Sequence, residues 1–183
     1  MKLTKNMKRT ILSIVAAVAL LCTFASCNTK SDPAVLWYPV NLMIFVQDQN
    51  GNDLMDPENP YNMIEGTSFN WEAKDYVPVM ELPTLDKYRL SLLNTSIFED
   101  EDAKSLPRQG YFLNFGEIDG ALDMDAIMYL TLPEGPMHEI KYHCGNHVAQ
   151  TQTCQRYWML DGKETVNPFV ITINLPEELY ETE

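Results

Sequence analysis

Three groups of residues in this 183-residue chain could do chemistry. The densest runs from His143 and Cys144 through His147 to Cys154. Two thiols and two imidazoles form a donor set that suits tetrahedral zinc. Cysteines ten positions apart in an exported chain also commonly bond to each other. A Cys144–Cys154 disulfide would staple a loop between neighbouring strands and contribute roughly 2–3 kcal/mol on chain-entropy grounds. The spacing matches no zinc motif, and strand alternation turns His143 away from Cys144. The disulfide is the expected reading, with free thiols and a metal site as the alternatives.

The second group spans residues 48–58. Asp48, Asn50, Asn52 and Asp56 fall on positions 1, 3, 5 and 9 of a calcium-loop pattern. Asp53 stands where that pattern has glycine, and Asn59 where it has a bidentate glutamate. A hairpin turn at Asn50-Gly51 accounts for the same residues, because both tolerate positive φ. The third group is aromatic: Trp37, Trp71 and Trp158. Exposed, Trp158 and Trp71 would be ligand-binding residues that stack on sugar faces, although core packing is the default for such side chains. Carboxylate pairs of the kind glycosidases use are inevitable among twenty-six acids and decide nothing. The chain has no G-x-S-x-G, no H-E-x-x-H, no P-loop and no dinucleotide fingerprint. No enzyme and no cofactor is expected.

Short strands must position these groups. Eleven prolines, three tryptophans and nine tyrosines favour strands and turns over helices. Val40–Asp48 reads as the first strand, with Leu42, Ile44 and Val46 on one face and Met43 and Phe45 on the other. Further strands are expected at 67–72, at 76–81, and at 88–93 with Arg89 and Ser91 outward. Others centre on Leu113 and Leu130. In the next, Ile140, Tyr142 and Cys144 share a face opposite Glu139, Lys141 and His143. Arg156–Leu160 and Phe169–Leu175 flank the Asp161-Gly162 turn. The acidic run 99–102 belongs in solvent, with a brief helical turn around 97–104. About nine strands and no helix-length apolar period predict an all-β domain over 36–177. Its expected form is an antiparallel β-sandwich, immunoglobulin-like or related, with an open barrel as the alternative. Antiparallel pairing is expected because no crossover segment is visible. Residues 178–183 read as a frayed acidic tail.

The first 26 residues read as a leader. Lys2, Lys5, Lys8 and Arg9 precede an eleven-residue apolar run over 11–21. That run is too short for a hydrocarbon core, which takes about 20 residues, and it fits a secretory signal. Small Ala25 and Ser26 precede Cys27. The stretch resembles a bacterial lipobox, with Phe24 where leucine is usual. Cys22 follows the bulky Leu20 and Leu21 and is set aside, and cleavage after Ala25 is the alternative. The resemblance implies a signal peptide over 1–26, lipid attachment (palmitate) at Cys27, and a tether over 27–35. Dual acylation supplies the two signals that stable anchoring needs. Leader, Cys27 and small acidic domain together resemble Bacteroidota cell-envelope lipoproteins with a small β-sandwich domain. That likeness implies a lipid anchor in the outer membrane, on its periplasmic or surface side. It rests on residues 1–32 and carries no functional residue into the domain.

Removing the leader takes away four cations and no acid, so the formal charge falls from −13 to −17 over the remaining 157 residues. Such a surface repels phosphate backbones, and no nucleic acid partner is expected. The sequence points to a non-enzymatic membrane-anchored lipoprotein, a binding or interaction module. The alternatives are a glycan-binding accessory lipoprotein and a fimbria-like structural subunit. The expected partners are the membrane, through the lipid, and a glycan or envelope protein.

Overall fold

The computed structural model describes residues 40–82, 88–118, 124–133, 135–148 and 153–177. All lie in the compact unit from Trp37 to Glu183. The leader, Cys27, the tether, Trp37 and the tail 178–183 fall outside the described residues, as do the side chains of His147 and Cys154.

β1 (Val40–Asp48) follows its apolar alternation. Leu42, Ile44 and Val46 are fully buried on one face, and Phe45 is fully buried on the other, 5.4 Å from Phe112. Asp48 and Gly51 then close a tight turn, with Gly51 at φ +84° donating to the Asp48 carbonyl. The following loop carries Leu54, Met55 and Met63 into the core. β2 (Ser68–Trp71) and β3 (Lys74–Tyr76) form a hairpin whose two turn residues, Glu72 and Ala73, both have positive φ. That primed turn matches the twist of the strands. β4 (Pro78–Val79) comes next, then β5 (Leu90–Asn94), a 3₁₀ turn (Thr95–Ile97) and α1 (Asp100–Ser105). The rest are β6 (Tyr111–Ile118), β7 (Met124–Thr131), β8 (Met137–Val148), β9 (Thr153–Leu160), β10 (Lys163–Thr165) and β11 (Phe169–Ile173).

The architecture is mostly β, in two open sheets. One has the order β11-β1-β6-β5-β4, the other β10-β9-β8-β7-β2-β3. The expectation of purely antiparallel pairing is corrected at two places. β1 pairs β11 in parallel, with Ile44 opposite Phe169, and β4 pairs β5 in parallel, with Pro78 opposite Leu90. A long crossover does join β1 and β11, but it consists of the intervening strands rather than a helix, so no single segment announces it. Asn167 reinforces this join: its side chain accepts from the Met43 amide at 2.9 Å and donates to the Asn41 carbonyl at 2.6 Å. The strand expected at 76–81 is split instead, because Pro78 has no N–H for a ladder. β3 ends in one sheet and β4 begins the other, with Val77 between them. Ser91, expected outward, is fully buried.

Inner faces of both sheets share one core. Phe115 on β6 is its densest point. Its ring meets Phe69 at 4.6 Å, Tyr76 at 4.9 Å, Trp71 at 5.6 Å and Tyr88 at 5.8 Å. At the far side Trp158 on β9 meets Phe169 on β11 at 5.6 Å. A buried phenylalanine contributes roughly 1.5–3 kcal/mol by area, and each ring pair adds about 0.5–1.5 kcal/mol. Phe115→Ala should therefore destabilise the domain by about 3–5 kcal/mol in urea denaturation. A loss under about 1 kcal/mol would show that the ring is not central.

Candidate binding site

The chain's passage from one sheet to the other builds a cleft. Tyr76 ends β3, Val77 bridges, Val79 lies on β4, and Glu81 follows; Tyr88, Arg89 and Leu90 return on the neighbouring segment. Together they line a cavity of about 280 Å³. Tyr88 lies nearly parallel to Phe115, at an interplanar angle of 17°, and takes the Trp71 ring edge-on at 4.8 Å. Tyr76 is held edge-to-face on Phe115, and the Lys74 ammonium lies 4.9 Å from its centroid. Burial, with Glu72 adding its charge, pushes the Tyr76 phenol above its ordinary pKa. Arg89 and Glu81, both in the lining, form an ion pair. Val77, Met80 and Leu82 stand around it at 62%, 69% and 64% exposure. Apolar side chains gathered in the open beside a concave, aromatic-lined surface are the usual mark of a recognition site.

The residues nominated from sequence lie elsewhere. Trp71 and Trp158 are 6% and 8% exposed, so neither offers a face to a ligand, and the sugar-stacking reading of both is corrected. Both are core residues, Trp158 against Tyr142 at 4.5 Å. In the 48–58 loop the polar side chains close turns rather than converge. Asp48 Oδ1 accepts from the amides of Asn50 at 2.8 Å and Asn52 at 2.7 Å, while Oδ2 accepts from Asn52 Nδ2 at 2.7 Å. Asp56 accepts from the Glu58 amide at 2.9 Å. Such Asx turns account for the Asn and Asp content of the loop. No group of three or more His, Cys, Asp or Glu that could hold a metal occurs among the described residues.

Around Cys144 the strand alternation is as read. Cys144 is buried, and His143 faces out, 2.7 Å from Asp125 and stacked on Tyr157 at 4.8 Å. The register sets Cys144 opposite Arg156, with a bulge between Gly145 and Val148 before β9 begins at Thr153. The Cys154 side chain lies outside the described residues, and the expected Cys144–Cys154 disulfide falls there with it. A second pair, His138 Nδ1 with Asp161 at 2.7 Å, ties the start of β8 to the β9–β10 turn. Neither imidazole lines the cleft.

Sequence reasoning passed over Tyr76, Val77, Val79, Glu81, Tyr88, Arg89 and Leu90. The available signal was Val77-Pro78-Val79-Met80, an apolar run around a proline that no central strand could hold. Comparison of the chain with protein-family models, with curated proteins and with solved structures finds no match.

Asp53 braces the loop that plugs this core. Its carboxylate accepts from the amides of Met55 at 2.9 Å and Tyr111 at 2.7 Å, with Arg108 at 3.9 Å. Gly110 is required beside it, because a Cβ there would strike the carboxylate and its φ is +120°. Burial raises the Asp53 pKa above its ordinary 3.8, despite those amides and Arg108. A raised folded-state pKa contributes stability that is fully present below the unfolded value and is lost as pH rises through the folded value. Asp53→Asn replaces an acceptor with a donor facing the Tyr111 amide, and should destabilise by about 1–3 kcal/mol at pH 7. The gap between wild type and variant should widen as the pH falls from 7 towards 4. Denaturation curves at both pH values check this, and an equal gap would contradict it.

Proposed function

We propose that the protein is a non-enzymatic, membrane-anchored envelope lipoprotein whose β-domain is a binding module. The observation that carries this reading is the cleft between β3, β4 and the Tyr88–Leu90 segment, with exposed Val77, Met80 and Leu82 beside it. Two open sheets sharing one core are read as a β-sandwich, immunoglobulin-like or related. The cleft suits recognition better than catalysis. Among the described residues its lining contains one carboxylate, Glu81, and that carboxylate is paired with Arg89. A charge held in an ion pair is a poor general base, whereas an aromatic wall with a few fixed polar groups is what small-ligand sites use.

The lipobox-like stretch supports delivery of this module to the outer membrane through acylated Cys27. The negative charge of the remaining chain supports a role away from nucleic acid. Metabolic labelling with palmitate should mark the wild type and not Cys27→Ser, and mass spectrometry of the membrane fraction should find the lipid on residue 27. An unmodified residue 27 would refute the anchor. The binding role is checked separately by amide shift mapping with a small-fragment library. Hits should gather on Val77, Val79, Glu81, Arg89 and Leu90, and hits gathering on Asp125, His143 and Tyr157 would place recognition on the other surface.

A further inference from the structure

We propose that the cleft is a saccharide site that takes one neutral pyranose residue. This rests on the reading of the domain as a binding module and assigns the ligand class. The volume of about 280 Å³ lies just under the roughly 300–1,000 Å³ of drug-sized ligand pockets, room for a single ring rather than a folded segment. Tyr88 supplies the platform. It stacks on Phe115 and meets Trp71 in a T-shaped contact, yet the residue remains 42% exposed and lines the cleft. The negative face of a fixed aromatic ring attracts the C–H face of a pyranose, and the contact is also apolar. Val77, Val79 and Leu90 continue that apolar surface.

The polar pair fits the same ligand. A guanidinium only donates, a carboxylate only accepts, and a hydroxyl does both. Arg89 and Glu81 side by side therefore match two neighbouring hydroxyls, one accepting from Arg89 and one donating to Glu81. Among the described lining residues these two charges cancel. An anionic ligand would face Glu81 and a cationic one Arg89, so the pair favours an uncharged polyol. The Tyr76 hydroxyl adds a group that can donate or accept. Peptide addition to the sheet edge fits less well. β4 has two residues, one of them Pro78 without an N–H, and β3 has three.

The test is titration of the full chain with methyl glucoside, galactoside, mannoside and N-acetylglucosaminide, and with maltohexaose and laminarihexaose, read by NMR. At least one neutral glycoside should bind saturably and shift the signals of Tyr88 and Arg89. Tyr88→Ala should weaken that binding about tenfold or more, and Tyr88→Phe should hold it within about threefold. Arg89→Lys, which keeps the charge and loses the fork, should weaken it about threefold to tenfold and guards against a Tyr88→Ala chain that fails to fold. Fragments that reach the cleft while every glycoside leaves it unshifted would overturn the saccharide assignment and leave the binding module standing. If neither glycosides nor fragments reach the cleft, both readings fall. Glycoside binding that survives Arg89→Lys and a folded Tyr88→Ala unchanged would also overturn the site.

Discussion

The aromatic contacts of Phe115 are the constraint on which this structure turns. The ring stands on β6, a central strand of the five-stranded sheet, and meets Phe69 and Trp71 from β2 and Tyr76 from β3 across the core. It also meets Tyr88, just before β5 on its own sheet. A single side chain thus fixes the edge of one sheet to the middle of the other. It fixes, too, the two tyrosines that wall the cleft. On the proposed reading, packing and recognition are the same interaction seen from two sides: the contacts of Tyr76 and Tyr88 with Phe115 hold the fold together, and what those contacts leave uncovered lines the cleft.

The rest of the chain serves this arrangement by closing its own polar groups locally. Asp48, Asp53, Asp56, Asn59 and Asn62 each accept from the amide two residues on, so the long loop after β1 carries its own hydrogen bonds as it brings Leu54 and Met55 inward. Gln49 and the Leu175 backbone exchange two bonds of 2.8 Å and fasten the segment after β11 beside that loop. Composition alone shows many carboxylates, and only geometry shows what each is bonded to.

Where physics is local, the sequence is legible. The period-two pattern of β1 and β11 reflects burial of alternate residues, and both strands lie as that pattern requires. Both expected turns form: Asp161 and Gly162 each adopt positive φ, whereas at Asn50-Gly51 only the glycine does. The Glu72-Ala73 turn has the same positive φ without a glycine or asparagine to announce it, which is why the β2–β3 hairpin was illegible. Partnering is not local. Nothing in β1 or β11 states that they pair in parallel across most of the domain. The cleft was illegible for the same reason, since Tyr76 and Tyr88 come together only on the ring of a third residue, Phe115. The tryptophans misled because size and chemistry do not reveal which side of a strand meets the core, and Trp158 alternates inward with Phe169 as its partner.

Ring-current shifts measure this coupling most directly. Phe115→Leu removes the ring while keeping a branched apolar side chain in its place. In the folded variant the ring protons of Tyr76 and Tyr88 should both move by NMR, while those of Tyr142, packed on Trp158 at the other side of the core, stay where they are. Unchanged Tyr76 and Tyr88 signals would contradict the view that one buried ring positions the cleft.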